Sequence, residues 1–281
     1  MERIYITDLD HTLLDSKAEV PTETLKGIET LNSNNIDFTV ASARSVKSIQ
    51  IILEKTTLKL PVIEFNGAFI SDFNTGGHLI VNIIKRDIIN EILSITKNMS
   101  LEPFYSVFNG EKDQLFLPEI SNGGLEWYYN DRVKNKDPRL EDKKYYFNED
   151  GIDSIVCLTY VDSFENLKPL DEYLRNCSFF KDLSVNFYEN KYSKGWCWLT
   201  IHSSKSQKHL GIKDLLAITN KENHEVIVFG DSINDASMFK VADRSYAVSN
   251  ADKELKELAT EVIGHHEDNA VIDFIIKDAG L

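Results

Sequence analysis

The sequence has few residues of the kinds that mark secreted or membrane-spanning proteins. Its three cysteines, Cys157, Cys177 and Cys197, have no metal-type spacing and cannot all pair within the chain. No apolar segment approaches transmembrane length, and the first residues lack the charged start and long apolar middle of a signal peptide. These absences predict a cytoplasmic protein in a reducing compartment.

Basic residues are scarce relative to acidic ones. The chain has 31 Lys and Arg against 45 Asp and Glu, which gives a formal net charge of -14. Nucleic acids and anionic membranes are held by clustered Lys and Arg, so we expect neither as a partner. The sequence does not indicate an oligomeric state.

Hydrophobic residues are plentiful, at 42% of 281 residues, so the chain can bury a sizeable core in one large or two medium domains. Strand-like runs at 4–7, 38–41 and 61–65 alternate with helical spacing, and this alternation returns in EVIVFGD and SYAVS. The pattern predicts a parallel α/β sheet shared by both ends of the chain.

The residue pattern between the two ends of the chain is different. From about residue 83 to residue 203 the chain has aromatic-rich, alternating segments with a few helical stretches among them. This pattern predicts an inserted α+β domain rather than a continuation of the first sheet. The expected domains are a discontinuous core at 1–82 and 204–281 and an insert at 83–203.

Polar residues follow several predicted strands at the point where each strand ends. Asp8 and Asp10 follow IYIT, and with a period of two they lean to the same side. Open α/β sheets bind ligands at this carboxyl edge. Four segments of this kind would converge there, and their other polar residues are Ser42, Lys208, Asp231, Asn234 and Asp235.

These residues also have structural explanations. An acidic pair after a strand is a common structural cap, and Ser42 fits a helix N-cap. Lys208 lies in the first turn of a probable helix, where Ser204 or Ser206 is a candidate N-cap. Lys205 and Lys213 are nearby competitors of Lys208 for a place in the site.

The ordered motifs DLDHTLL, ASAR, a lone lysine at a helix start and GDSIND resemble those of the haloacid dehalogenase (HAD) superfamily of phosphohydrolases. VIEFNGAFI and VSNADKELKELATEVI are similar to its Cof-like branch, subfamily IIB. The resemblance implies a Rossmann-like parallel-sheet core with an inserted α+β cap of type C2B. It also implies a Mg²⁺-dependent phosphatase for small phosphorylated metabolites, above all sugar phosphates, that works through an aspartyl-phosphate.

The resemblance also implies roles for individual residues. Asp8 matches the nucleophile and Asp10 the general acid and base. Ser42 and Lys208 match the hydroxyl and the lysine that hold the phosphoryl group. The implied metal ligands are Asp8, Asp10 through its backbone carbonyl, Asp231 and Asp235. The implied substrate contacts are Leu9, Ala43, Asn66, Gly67 and Asn234.

A cation is also expected on physical grounds. Two like charges about 4 Å apart repel each other by roughly 4 kcal/mol at an effective dielectric constant near 20. A phosphate dianion that meets several aspartates faces more than one such repulsion. Mg²⁺ prefers oxygen ligands and would bridge carboxylates to phosphate.

The sequence departs from the family pattern at a few positions. His11 and Ala43 stand where many relatives have glycine, so we expect an adjusted backbone there. His265 and His266 are adjacent in a polar segment, where exposure is a commoner explanation than metal binding. Trp196 and Trp198 fit either the packing of a small sheet or a sugar-stacking surface.

Two other functions remain open at this stage. Capped relatives that move phosphate within a sugar make a phosphomutase the second enzymatic reading. A non-catalytic metabolite-binding module on the same fold is a reading from another class. Product analysis separates the first from a phosphatase, and binding without turnover would favour the second.

Overall fold

The computed structural model describes residues 2–140, 153–190 and 193–281 and divides into two compact units. The first unit contains Met1–Ile80 and Gln207–Leu281, and the second contains Val81–Ser206. The roles predicted for these regions, a catalytic core and a substrate-selecting cap, stay predictions.

The described residues form thirteen strands and nine α-helices. The strands are β1 (Arg3–Thr7), β2 (Asp37–Val40), β3 (Val62–Glu64), β4 (Phe69–Ser71), β5 (His78–Val81), β6 (Phe104–Phe108), β7 (Asp113–Phe116), β8 (Ile155–Asp162), β9 (Leu183–Glu189), β10 (Cys197–Ser203), β11 (Glu225–Gly230), β12 (Arg244–Ala247) and β13 (Glu261–Val262). The helices are α1 (Thr22–Ser33), α2 (Val46–Ile52), α3 (Arg86–Asn98), α4 (Gly123–Lys134), α5 (Phe164–Asn176), α6 (Lys208–Thr219), α7 (Ala236–Phe239), α8 (Lys253–Leu258) and α9 (Ala270–Ala279).

A five-stranded sheet lies at the centre of the first unit, in the order β13-β12-β11-β1-β2. Every neighbouring pair is parallel, and β1 lies between strands from the two ends of the chain, β2 and β11. Ile4 and Ile6 of β1 are fully buried, as their continuous apolar run requires in a sheet covered on both faces. The predicted parallel sheet is confirmed.

Helices of the first unit pack closely against each other and against β3. A Cβ atom added to Gly27 of α1 would lie 2.0 Å from Cγ2 of Ile272 in α9, so only glycine allows these two helices to approach so far. Gly211 of α6 similarly lies against Ile63, where an added Cβ would be 2.7 Å from Cγ2. Close contacts of this kind fix the positions of these helices.

The third predicted strand belongs to a different sheet. Val62–Glu64 pairs antiparallel with β4 in the three-stranded sheet β3-β4-β5, and the isolated bridge Ala41↔Ile63 links it to the segment after β2. That bridge is parallel, so the run follows β2 in the predicted direction, but its regular strand pairing is the antiparallel one with β4. The turn at Phe65–Gly67, whose residues have positive φ angles, reverses the chain within three residues and produces this antiparallel pairing.

The second unit is built on a five-stranded antiparallel sheet in the order β7-β6-β8-β10-β9. One hydrophobic cluster joins Ile88 and Ile92 of α3 to Leu167 and Leu170 of α5. A second, aromatic cluster contains Trp198, which is 3% exposed and meets the ring of Trp127 edge-on at 5.8 Å. Trp198 is thus a packing residue, which favours the first of its two predicted readings.

None of the helices in the described ranges combines the length and the apolar character that are needed to cross a membrane. The three cysteines are free thiols, and Cys157 and Cys197 are buried. Burial raises the pKa of the Cys157 thiol to about 12, so this thiol is protonated and unreactive at neutral pH.

Candidate active site

Three buried aspartates meet at the carboxyl edge of the central sheet. Asp8 directly follows β1 and Asp231 directly follows β11, and these strands are neighbours in register Thr7↔Phe229. Asp235 ends the 3₁₀ turn Ile233–Asp235. Carboxylate oxygens of the three aspartates lie within 4.8 Å of one another, and the residues are 5%, 4% and 0% exposed.

Lys208 joins two of these carboxylates. Its Nζ atom donates to Oδ1 of Asp8 at 2.5 Å and to Oδ1 of Asp235 at 2.7 Å, and the residue is 1% exposed. Lys205 and Lys213 are exposed, and Lys208 is the one of the three predicted lysines that contacts these aspartates.

The N-caps predicted for the helix of Lys208 are wrong. Helix α6 begins at Lys208, and its N-cap is Gln207, which makes no side-chain capping bond. The predicted caps Ser204 and Ser206 therefore lie before the capping position. The missing cap is consistent with a helix start whose first side chain serves the carboxylates.

The charges at this edge are unbalanced. Burial raises the pKa of Asp8 well above its usual range, and Asp235, Asp231 and Asp10 raise it further although Lys208 opposes them. Burial disfavours the charge on Lys208, but Asp235 and Asp8 outweigh it and raise the Lys208 pKa. One buried lysine thus faces three buried aspartates, so the carboxylate oxygens suit a hard, oxygen-binding cation.

Backbone geometry brings Asp235 into the cluster. Its Oδ2 atom accepts from the backbone N-H groups of Asp231 at 3.1 Å and of Ser232 at 3.2 Å, within a capping box formed with Ser232. A Cβ atom added to Gly230 would lie 2.6 Å from the same Oδ2. Glycine at the end of β11 is therefore required for this approach.

Asp10 lies outside the three-aspartate group and pairs with an arginine that the sequence analysis missed. Arg44 donates from Nε to Oδ2 of Asp10 at 2.8 Å and from Nη2 to Oδ1 at 2.6 Å. A bidentate pair of this kind fixes the orientation of a carboxyl group. Arg44 stands two residues after Ser42 in ASAR, but the direction of its side chain cannot be predicted from the sequence.

Ser42 lies in the loop between β2 and α2 and is fully buried. Its Oγ atom accepts from the backbone N-H of Arg44 at 3.2 Å. The N-cap of α2 is Ser45, whose side chain accepts from the N-H of Ser48, so the alternative reading of Ser42 as the N-cap is wrong. Ala43 is exposed in the same loop.

The turn at Phe65–Gly67 lies between this loop and the start of α6. Phe65, Asn66 and Gly67 have φ angles of 47°, 55° and 99°, and left-handed non-glycine residues cost roughly 1–2 kcal/mol each. Asn66 N-H donates to the Ser42 carbonyl at 2.9 Å, and a Cβ on Gly67 would lie 2.8 Å from the Gln207 carbonyl oxygen. Asn66 and Gly67 thus have structural roles, and their predicted contacts with substrate stay predictions.

Leu9 and Asn234, two other predicted substrate contacts, have structural partners within the protein. The Leu9 side chain is part of the hydrophobic core, and its carbonyl accepts from the N-H of Leu14 at 2.9 Å. Asn234 is exposed, and its Oδ1 atom accepts a hydrogen bond from Ser232. Their proposed contacts with phosphate through the backbone or the amide stay predictions.

Histidines at two departures from the family pattern lie near the loop that follows β1. His11 has a φ of 56°, in the left-handed region that favours glycine. His266 is 5% exposed, and its Nδ1 atom is 2.7 Å from the Leu14 carbonyl, so the expectation of an exposed pair is wrong for His266. Within the described ranges, the aspartate cluster is the one candidate metal group, and neither His265 nor His266 belongs to it.

Comparison with known proteins places this geometry in a family. The model of the haloacid dehalogenase-like hydrolase family matches residues 5–275. The phosphatase YwpJ of Bacillus subtilis is 26% identical over 96% of this chain and 97% of its own length. The 5-amino-6-(5-phospho-D-ribitylamino)uracil phosphatase YwtE of the same organism is 27% identical, and the match covers 95% of each chain.

Solved structures agree on the fold. The subclass IIB sugar phosphatase BT4131 superposes with a TM-score of 0.75 at 16% identity, and 99% of each chain is covered. The predictions of superfamily, fold class and phosphoric monoester hydrolase are thereby confirmed. The chain belongs to the haloacid dehalogenase-like hydrolase family.

Proposed function

We propose that this protein is a Mg²⁺-dependent phosphatase that hydrolyses small phosphorylated metabolites through an aspartyl-phosphate on Asp8. The observation that carries the proposal is the buried contact of Lys208 with Asp8 and Asp235 beside Asp231. Such a cluster is costly to bury and unbalanced in charge, which is expected where a charged substrate and a cation are bound.

The aspartate cluster would hold the metal ion. Asp8, Asp231 and Asp235 provide carboxylate oxygens within 4.8 Å of one another, and the backbone carbonyl of Asp10 is a further proposed ligand. A bound Mg²⁺ supplies positive charge that offsets the repulsion between the aspartates and a phosphate dianion.

The residues of the chain carry the proposed reaction in two transfers. The Asp8 carboxylate attacks phosphorus, the ester P-O bond breaks, and Asp10 gives a proton to the leaving oxygen. Asp10 then takes a proton from water, whose oxygen attacks phosphorus and breaks the bond to Asp8. Inorganic phosphate leaves, and both aspartates return to their starting states.

The other polar residues orient and neutralise these groups. Lys208 holds Asp8 and would pair with a phosphoryl oxygen, and Ser42 would donate its hydroxyl hydrogen to another phosphoryl oxygen. Arg44 fixes the direction of the Asp10 carboxyl group through its two hydrogen bonds. The proposed role of the second unit is to select the leaving group, as a cap.

The proposed substrates carry phosphate on a polyhydroxylated carbon chain. Two compared proteins are named for such compounds, one for a phosphorylated ribityl chain and one for sugar phosphates. A sugar phosphate or an open-chain polyol phosphate is therefore the class to test first.

The test is phosphate release from a panel of sugar phosphates, polyol phosphates, nucleotides and phosphorylated cofactors, with Mg²⁺ or with a chelator. We expect release that needs both the metal and Asp8, with polyol and sugar esters ranked highest. Asp8→Asn should lower kcat by at least about 10³-fold, because loss of a nucleophile removes the covalent route.

Lys213→Met, on the exposed side of α6, is the control that should behave as wild type. Undiminished phosphate release by highly purified Asp8→Asn would contradict the proposal. An isomeric sugar phosphate in place of inorganic phosphate would make the protein a mutase, and binding without turnover would make it a non-catalytic module.

A further inference from the structure

A fully buried carboxylate lies behind the loop that carries Ser42 and Arg44. Glu64 is the last residue of β3 and is 0% exposed. A buried carboxylate is costly unless hydrogen-bond donors satisfy it, and an apolar residue of similar size fills the same space at less cost. The hydrogen-bond donors around the Glu64 carboxylate therefore indicate its role.

Three groups surround the Glu64 carboxylate. Oε2 accepts a short hydrogen bond from the backbone N-H of Val46, the first residue of α2, and Oε1 accepts one from the Ser71 hydroxyl. Nδ1 of His78 lies 2.7 Å from Ser71 Oγ and 3.1 Å from Glu64 Oε1. A His78 tautomer with its proton on Nδ1 would donate to Ser71 Oγ while the Ser71 hydroxyl donates to Glu64.

The backbone on both sides of Glu64 is bonded to the same loop. Ser42 N-H donates to the Ile63 carbonyl at 2.8 Å, and Asn66 N-H donates to the Ser42 carbonyl at 2.9 Å. Phe65 N-H donates to the Arg44 carbonyl at 3.1 Å. The side chain of Glu64 adds the attachment at Val46, at the far end of this loop.

We propose that Glu64 is a positioning residue, whose carboxylate fixes the loop from Ser42 to Val46 so that Arg44 aims at Asp10. This inference rests on the proposed function, since it concerns the residues that would bind phosphate and orient the general acid. Ser71 and His78 keep the carboxylate in place from the opposite side.

The sharpest test removes the backbone N-H of Val46, which is the loop's donor to Glu64. Val46→Pro deletes the donating N-H, and the backbone tolerates proline there because Val46 is the first residue of α2 and Ser45 is extended, with ψ of 156°. Val46→Ala keeps the N-H and loses side-chain packing, so it is the matched control.

The readout compares two leaving groups. A sugar phosphate needs a proton from Asp10, whereas p-nitrophenyl phosphate releases a stable phenolate and depends on that proton much less. We expect Val46→Pro to lower kcat about tenfold or more for the sugar phosphate and less than about threefold for p-nitrophenyl phosphate. Val46→Ala should change both by less than about threefold. Equal losses for the two esters in Val46→Pro would overturn the proposal.

A second pair of variants changes the carboxylate side of the same contact. Glu64→Leu removes the acceptor for Val46 and Ser71 together, and Ser71→Ala removes only the Ser71 contact. Glu64→Leu should reproduce the leaving-group effect of Val46→Pro. Ser71→Ala should show a smaller effect, because the Val46 N-H still donates to Oε2 and Nδ1 of His78 still lies 3.1 Å from Oε1. Equal losses for the two esters in Glu64→Leu would overturn the proposal.

Hydrogen exchange separates this inference from the proposed function. The amides of residues 42–45 should exchange at least about tenfold faster in Val46→Pro and Glu64→Leu, and within about threefold of wild type in the two controls. If wild type hydrolyses nothing, the proposed function fails, and these exchange rates still decide whether Glu64 holds the loop. Unchanged exchange in both test variants would show that it does not.

Discussion

The two ends of the same strands carry different arrangements of charge. At the amino end, Arg244 donates to Glu225 at 2.7 Å and to the two carboxylate oxygens of Asp278 at 2.8 and 2.9 Å. Arg3 adds a hydrogen bond to Glu225 at 3.1 Å. Two arginines thus meet two carboxylates, and each of these side chains keeps some contact with solvent, from 17% to 39%.

The carboxyl end has the opposite character. There one lysine that is 1% exposed faces Asp8, Asp231 and Asp235, which are also buried. A balanced and partly hydrated network holds elements together at modest cost, whereas an unbalanced buried cluster is stable only with further partners. The comparison indicates that charge balance and burial together, rather than the number of ion pairs, separate the site from the scaffold.

The strongest challenge to this comparison is Lys208→Met, which leaves the aspartates without their buried cation. We expect a loss of roughly 3–5 kcal/mol in unfolding free energy without added metal, because one partner of a buried pair is removed. Phosphatase activity should fall by at least about 10²-fold. Urea unfolding and kcat/KM measure the two effects, with Lys213→Met as the control, and a stable, active Lys208→Met protein would contradict the charge argument.

Mg²⁺ should act on the carboxyl end alone. At about 100 times its Kd, a ligand that binds only the folded state adds roughly 2.7 kcal/mol of stability, so we expect a clear rise in Tm on adding Mg²⁺. The rise should persist in Arg244→Met and should be lost in Asp231→Asn. A Tm that responds equally in Asp231→Asn would place the metal elsewhere.

At the amino end, Arg244→Met should change stability without changing the chemistry. It removes the hydrogen bonds to Glu225 and Asp278, and we expect a loss of about 1–2 kcal/mol in unfolding free energy from a partly exposed network. Its kcat/KM should stay within about twofold of wild type. A large loss of activity with intact stability would show that the two ends are coupled.

The smallest expected effect is the pH dependence of this network. Arg244 lowers the pKa values of Glu225 and Asp278 in the folded protein, chiefly through its hydrogen bonds. Their stabilisation is therefore fully present above the unfolded pKa values near 4 and is lost as the pH falls through the lower folded values. The stability difference between wild type and Arg244→Met should be constant from about pH 6 to 8 and should shrink below about pH 4.

Much of the site could be predicted because it follows the rules of strand ends. Asp8 and Asp231 come directly after neighbouring parallel strands, so letters and periodicity suffice to bring them together. Lys208 was separable from Lys205 and Lys213 only through the resemblance, since all three suit an exposed position in or beside a helix. In the structure Lys208 is buried, and Lys205 and Lys213 are exposed.

What sequence reasoning missed depends on side-chain direction and on turns. Glu64 sits in VIEF, where a strand pattern gives no reason to expect that a carboxylate points to Val46. Arg44 reaches Asp10, which is 34 residues earlier in the chain, and no local periodicity reports such a contact. The antiparallel pairing of β3 with β4 was not predicted, because the left-handed φ of Phe65 in the turn between them is not a sequence signal.

The pairing of β1 with β11 also has a consequence for synthesis on the ribosome. Arg3 pairs with Glu225, so the second edge of the central strand has no partner until more than three quarters of the chain has been made. At 5–20 residues per second, that interval lasts roughly 11–44 s. The contiguous segment Val81–Ser206 emerges within it and carries its own hydrophobic clusters. We therefore expect the inserted unit to fold before β1 gains its second neighbour.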